Sequence, residues 1–275
     1  MRKTEKLRPN CFAVMGNPIA HSLSPFIHHC FAEQTGKQLH YEKMKVEEAF
    51  FEEQVVNFFS QGGKGLNITL PFKERAFAMA KTSTARCRQA KAANTLWMKE
   101  GQLQADNTDG VGLLRDLSRH IKLDAKRVLL LGAGGAARGV IGPLLAANIA
   151  QLVLANRTQA KATLLQTDFP QIKTTSLSDL KDGYDLIINA TSVSLTEKTL
   201  VLPPTILQFS PFCYDLAYHA KGLTPFVTWA QQQGCTAVDG LGMLVEQAAE
   251  AFFIWHGLRP NTDVVLEDLG QIHRG

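Results

Sequence analysis

Lys73 and Asp109 are the side chains of this chain best suited to moving a proton. Lys73 follows Pro71 into a predicted helix, and a cation in the first turn of a helix faces the positive end of its dipole, so the placement points to use. Held near a carboxylate such as Asp109, a lysine can give a proton to, or take one from, a substrate oxygen while hydride moves to or from carbon. Spacing alone leaves Lys73 equally open to being a surface residue. Three polar clusters carry the other candidates: His21-Ser22-Leu23-Ser24-Pro25, Asn67-Ile68-Thr69-Leu70-Pro71-Phe72-Lys73, and Asn94-Thr95 with Asp106-Asn107-Thr108-Asp109-Gly110. Ser22 and Ser24 can offer two hydroxyls to a carboxylate, or one of them can cap the helix that starts at Pro25. Asn67 and Thr69, two residues apart in an extended run, share one face of a strand.

A second kind of chemistry is written in Gly132-Ala133-Gly134-Gly135-Ala136-Ala137-Arg138. Gly132, Gly134 and Ala137 reproduce the pattern G-x-G-x-x-G/A directly after the apolar run Arg127 to Leu131 and at the head of a helix. The first glycine permits the tight turn, the second lets the backbone approach a pyrophosphate, and the small third residue lets helix and strand pack closely, with the helix N-terminus facing the phosphates. The next strand ends Ala155-Asn156-Arg157-Thr158, with Lys161 one turn later. No carboxylate stands there to accept from a ribose 2′-hydroxyl, whereas Arg157 and Lys161 can hold a 2′-phosphate, so the dinucleotide implied is NADP. The bland alternative is a pair of solvated surface cations.

The elements that must position these residues alternate between short β-rich runs and helices. Cys11 to Met15, Tyr41 to Val46 and Leu66 to Leu70 read as strands, with helices opening near Ser24-Pro25 and around Phe50 to Phe59. Asn94 to Met98 and Gln102 to Ala105 flank Lys99-Glu100-Gly101 as a hairpin. A second series runs through Arg127 to Leu131, Leu152 to Ala155, Asp185 to Asn189 and Cys213 to Leu216, then a helix from Thr224-Pro225 to about Gln233 and a last long helix from Leu241 to His256. The fold class expected is α/β with two βα domains. Residues 1–109, completed by helices within 241–275, form a substrate domain with a mostly parallel sheet, and residues 110–240 form a Rossmann-type NADP-binding domain, with a cleft between them.

Composition narrows the setting. Of 275 residues, 45% are hydrophobic and 20% charged, an ordinary globular balance that argues against disorder. The net charge of +4 comes from scattered rather than clustered Lys and Arg, which speaks against nucleic acid and fits small anionic ligands. Five cysteines without CxxC or metal-ligand spacing argue against a disulfide framework or a metal site. A reducing cytoplasm is the expected setting. No run of about 18 apolar residues suggests a membrane span, and the N-terminus lacks a signal-peptide core.

Taken in order from about Phe12 to Gly257, these motifs resemble the shikimate dehydrogenase family. The resemblance rests on Gly16-Asn17-Pro18-Ile19 with His21 to Pro25, Gly65 to Lys73, Ala93-Asn94-Thr95, Asp106 to Gly110, Gly132 to Arg138, Asn156-Arg157-Thr158, Asn189-Ala190-Thr191-Ser192 and Asp239 to Ala248. It implies NADP-dependent, reversible reduction of 3-dehydroshikimate to shikimate in chorismate and aromatic amino-acid biosynthesis. It also implies that Ser22 and Ser24, with Tyr218, bind the substrate carboxylate, that Asn67, Thr69, Asn94, Asp109 and Gln247 contact ring hydroxyls, and that Lys73 and Asp109 form the proton-transfer pair. On the cofactor side it assigns Gly132, Ala133, Gly134, Gly135 and Ala136 to the pyrophosphate, Asn156, Arg157, Thr158 and Lys161 to the 2′-phosphate, and Leu216 and Gly240 to the nicotinamide. The segment Val193 to Lys198, the loop Tyr218 to Gly222 and Leu216 depart from the family pattern at the nicotinamide side. The competing readings are a quinate/shikimate dehydrogenase using NAD and a non-catalytic shikimate-binding regulatory domain. The assembly considered is a homodimer.

Overall fold

The computed structural model describes residues 9–181, 183–195, 200, 202–219 and 222–274, the side chains of 195 and 272–274 apart. The described residues fall into two compact units, within Met1–Gly112 plus Leu244–Gly270 and within Leu113–Met243 plus Gln271–Gly275. Among them no helix is long and apolar enough to cross a membrane.

The first unit is built from β1 (Cys11–Gly16), α1 (Ser24–Thr35), β2 (His40–Lys45), α2 (Phe51–Ser60), β3 (Gly65–Ile68), α3 (Lys73–Met79), β4 (Thr82–Ser83), α4 (Ala85–Ala90), β5 (Thr95–Lys99) and β6 (Gln102–Asp106). Its sheet runs β2-β1-β3-β5-β6-β4, with β1 parallel to both neighbours and β5 antiparallel to β3 and β6. All six residues of β1 are buried, as expected of a strand covered on both faces. The turn between β5 and β6 is the two-residue Glu100-Gly101, both with positive φ, a backbone that matches the twist of the flanking strands. Strand β3 ends at Ile68, two residues short of the apolar run in the sequence. The Thr69 N–H still donates to Met15 O at 2.9 Å, but Thr69 itself stands in the turn towards Pro71 rather than in the strand beside Asn67.

A helix α5 (Asp109–Leu117) leads into the second unit, which comprises β7 (Arg127–Leu131), α6 (Gly135–Ala146), β8 (Gln151–Ala155), α7 (Gln159–Asp168), β9 (Lys173–Thr175), β10 (Leu186–Asn189), β11 (Phe212–Asp215), α8 (Pro225–Gln232) and β12 (Ala237–Val238). All its strands pair in parallel in the order β12-β11-β10-β7-β8-β9, a doubly wound sheet whose direction of winding reverses between β7 and β10. Ligands of such sheets bind outside the carboxyl ends of the strands at that reversal. Val128, Leu129, Leu130 and Leu131 are fully buried, which explains why β7 is apolar without alternation. The Thr224 hydroxyl accepts from the Val227 N–H and caps α8 at the expected Thr-Pro step.

The chain then closes with α9 (Leu241–His256) and α10 (Thr262–Arg274), both within the stretch 241–275 expected to carry helices, whereas α5 was not foreseen from the sequence. From Leu244 on, α9 belongs to the first unit, where Phe252, Trp255 and His256 meet Phe12, His28 and Phe31. His28 is fully buried in this aromatic cluster and stacks on Tyr41 with ring centroids 4.2 Å apart. Burial holds its pKa down at about 3, His256 adds to the effect and Asn67 opposes it. In the unfolded chain the same ring titrates near 6.5, so below that value the unfolded state takes up the proton and stability falls with pH. At about pH 5 the loss through this residue is about 2 kcal/mol. Urea denaturation at neutral and acid pH should show that loss in the parent and a flatter slope in His28→Phe; equal slopes would contradict it.

Candidate active site

Lys73 is the first residue of α3 and Asp109 the first of α5. Lys73 Nζ donates to Asp109 Oδ2 at 2.6 Å, and the two side chains are only 15% and 5% exposed. Asp109 is suited to the start of a helix, whereas Lys73 is held against the dipole of α3 by this carboxylate. The second oxygen, Oδ1, accepts from Asn94 Nδ2 at 2.9 Å. The ammonium is thus fixed in direction, with further N–H groups to offer to an oxygen brought beside it.

Asn94 is the hub of the surrounding network. Its Nδ2 also donates to Gln247 Oε1 at 3.2 Å, and its Oδ1 accepts from Thr108 N–H at 2.8 Å and from Thr95 Oγ1 at 3.0 Å. Gln247 reaches this cluster from α9 and donates through Nε2 to Leu244 O. Asn67, on β3, gives its Nδ2 to Asn94 O and Thr95 Oγ1, while its Oδ1 accepts from Tyr41 Oη at 2.6 Å. Both polar atoms of the Asn67 amide therefore have protein partners. Tyr41 was not foreseen; β2 otherwise reads as an exposed polar strand, and only an aromatic in its midst hints at a role.

The loop carrying Asp109 is held from below by Asp106. Its carboxylate accepts from Arg86 at 2.8 and 2.6 Å, from Thr84 and from the Asn107 N–H, and Arg86 also reaches Glu250 of α9 at 3.1 Å. Asn107 Oδ1 in turn accepts from the Asp109 N–H. The half-buried Arg86 and these two buried carboxylates join the end of β6 to the helix that supplies Gln247.

At the head of α1, Ser22 Oγ donates to Ser24 Oγ at 3.2 Å and accepts from the Ser24 N–H at 3.3 Å. The N-cap position falls on Leu23, so neither serine serves as the side-chain cap of α1. Their hydroxyls stand together as a pair. Thr69 packs its methyl against Gly16, where a Cβ would collide with it.

In the second unit, Gly132 has φ +107, and a Cβ there would sit 2.9 Å from Ala190 O in the loop after β10. Only glycine meets both demands. Gly134 precedes α6 in extended conformation, with open space where its Cβ would project. Ala133, Gly135 and Ala136 complete the turn, and Ala137 is fully buried against the sheet. The turn sets a glycine with open space beside it at the N-terminus of α6, as a pyrophosphate needs. Arg138, the last residue of the motif, turns inward and pairs with Asp168 at 2.7 Å. Beyond β8, Asn156 Nδ2 donates to Thr158 O at 2.9 Å, and Arg157 and Lys161 are exposed, neither in an ion pair with a described residue.

Leu216 and Gly240 meet: the Gly240 N–H bonds to Ala217 O, and a Cβ on Gly240 would strike Leu216 O. Tyr218 lies half-buried in the loop after β11. Of the two segments that depart from the family pattern, 196–198 and 220–221 lie outside the described residues.

Comparison with known proteins agrees along the chain. The family described as shikimate dehydrogenase substrate binding domain matches residues 14–96, shikimate/quinate 5-dehydrogenase matches 116–201, and shikimate 5′-dehydrogenase C-terminal domain matches 240–269. A shikimate dehydrogenase (NADP(+)) of Legionella pneumophila strain Lens is 60% identical over 258 residues, 94% of this chain and 97% of that protein. Among solved structures, an Ael1 enzyme from Pseudomonas putida is 45% identical with a TM-score of 0.87, covering 94% of this chain and 98% of the other. A shikimate 5-dehydrogenase of Thermus thermophilus in complex with NADP(H) and shikimate is 33% identical with a TM-score of 0.85, covering 95% and 99%.

Proposed function

We propose, from the premise that the chain belongs to the shikimate dehydrogenase (NADP+) family, a division of labour among its residues. The chain is an NADP-dependent oxidoreductase that interconverts 3-dehydroshikimate and shikimate. In our reading the first unit binds the substrate and the second the cofactor. Ser22 and Ser24 receive the substrate carboxylate, and Asn67, Thr69, Asn94, Asp109 and Gln247 receive ring hydroxyls. The turn Gly132 to Ala136 holds the pyrophosphate, Asn156, Arg157, Thr158 and Lys161 the 2′-phosphate end, and Leu216 and Gly240 the nicotinamide.

The observation that carries this reading is the 2.6 Å contact between Lys73 and Asp109 within the Asn94 network. Bound NADPH supplies a hydride to the carbonyl carbon. Lys73 supplies the proton to the carbonyl oxygen, so that C=O becomes CH–OH, and in the reverse direction it takes that proton back. Asp109 keeps the ammonium aimed, and Asn94 keeps Asp109 in place. A regulatory domain that only bound its ligand would have no need of a buried lysine–carboxylate pair beside its amide groups. The five free cysteines fit a reducing cytoplasm.

The test is the absorbance of reduced nicotinamide on mixing the protein with shikimate and NADP+, with NAD+ and quinate in parallel. Growth of the band with shikimate and NADP+, outpacing the other combinations, is expected. Silence in all of them would sink the reading.

A further inference from the structure

The carboxylate of Asp215, at the end of β11, is fully buried and has no cationic partner among the described residues, yet it accepts four hydrogen bonds. They come from Ser194 Oγ at 2.5 Å, Thr224 Oγ1 at 2.7 Å, Asn189 Nδ2 at 3.0 Å and the Ala217 N–H at 3.1 Å. Burial pushes its pKa up and these donors pull it back. Ser194 is the member that no sequence motif foretold, and it belongs to the segment that departs from the family pattern.

Its surroundings make it a tether. Ser194 Oγ accepts from Asn189 Nδ2 at 2.9 Å while donating to Asp215, and Asn189 Oδ1 accepts from the N–H and hydroxyl of Thr191. On its other side, His219 Nε2 lies 2.9 Å from Ser194 O; because a carbonyl only accepts, this nitrogen carries the hydrogen. The short 3-10 turn Ser192–Leu195 after β10 is therefore fastened by side chain and main chain to the loop 215–219 after β11. Leu216 lies in that second loop, and the Ala190 carbonyl at the start of the first lies against Gly132.

We propose that Ser194 is a positioning residue whose hydroxyl ties the loop after β10 to Asp215 and so fixes the backbone that receives the nicotinamide end of the cofactor. This rests on the assignment above of Leu216 and Gly240 to the nicotinamide and of Arg157 to the 2′-phosphate. Loss of the hydroxyl leaves Asp215 bonded to Asn189, Thr224 and Ala217, so the sheet keeps its polar clamp while the loop is left with the His219 contact to its main chain alone. The consequence falls on one half of the cofactor only.

The test measures dissociation constants of NADP+ and of adenosine 2′,5′-bisphosphate, which lacks the nicotinamide, for the parent, Ser194→Ala and Arg157→Ala. Ser194→Ala should weaken NADP+ about tenfold, the scale of one hydrogen bond to a charged group, and leave the bisphosphate unchanged. Arg157→Ala should weaken both ligands. Unchanged NADP+ affinity in Ser194→Ala overturns the tether while leaving the assignment of the two ends intact. Equal losses of both ligands in Ser194→Ala also overturn it, since a general disturbance of the unit would do that. Full bisphosphate affinity in Arg157→Ala overturns the assignment of ends, and the proposal with it.

Discussion

Lys73→Ala should lower turnover by about 10² or more while moving the KM for shikimate only a few-fold, the usual scale for losing a general acid or base. The separation of the two constants matters because Lys73 is also half of a buried ion pair. Removing the ammonium leaves the Asp109 carboxylate with Asn94 as its partner among the bonds described above, which costs stability in its own right. A site that had merely loosened would lose affinity and turnover together; a missing proton donor lowers the rate at saturating substrate. Thermal melts of the variant, run beside the kinetics, keep the two apart. Turnover within a few-fold of the parent would remove Lys73 from the chemistry, whatever its structural part.

Arg157→Ala should raise the KM for NADP+ by about ten- to a hundred-fold and leave that for NAD+ nearly unchanged, as expected for one charge-assisted bond to a phosphate. The side chain is exposed and makes no ion pair with a described residue, so its removal orphans no buried partner. The loss then falls on the ligand that carries the phosphate. Lys161, one helical turn on, retains part of the attraction, which keeps the effect from being complete. Steady-state kinetics with both cofactors on one preparation decide the matter, and equal losses would contradict a 2′-phosphate role.

Much of the fold is legible in the sequence because single local rules act there. An apolar strand followed by G-x-G-x-x-A can be read from a dozen residues, and the structure places Gly132 where both its positive φ and the Ala190 carbonyl exclude any Cβ. The β5-β6 hairpin follows from Glu100-Gly101 in the same way. What escapes the sequence depends on partners far apart in the chain. Arg86 and Glu250 each read as ordinary surface charges, and only the fold brings them to Asp106 beneath the loop of Asp109. Tyr41 is hidden for a similar reason, since its partner Asn67 lies on another strand. Thr69 misleads in the opposite direction: the apolar run continues to Leu70, but the ladder gives way to the turn before Pro71.

The order in which the chain is made adds a consequence of the return of α9 to the first unit. The second unit draws its whole sheet from one continuous stretch, Leu113–Met243, whereas the first needs Leu244–Gly270 to cover His28 and to bring Gln247 to Asn94. On the ribosome the sheet of the first unit is therefore made before that of the second, and the helix that covers it after. A chain cut short after Met243 would carry every residue of the glycine turn, yet its Lys73 and Asp109 would stand in an incomplete shell.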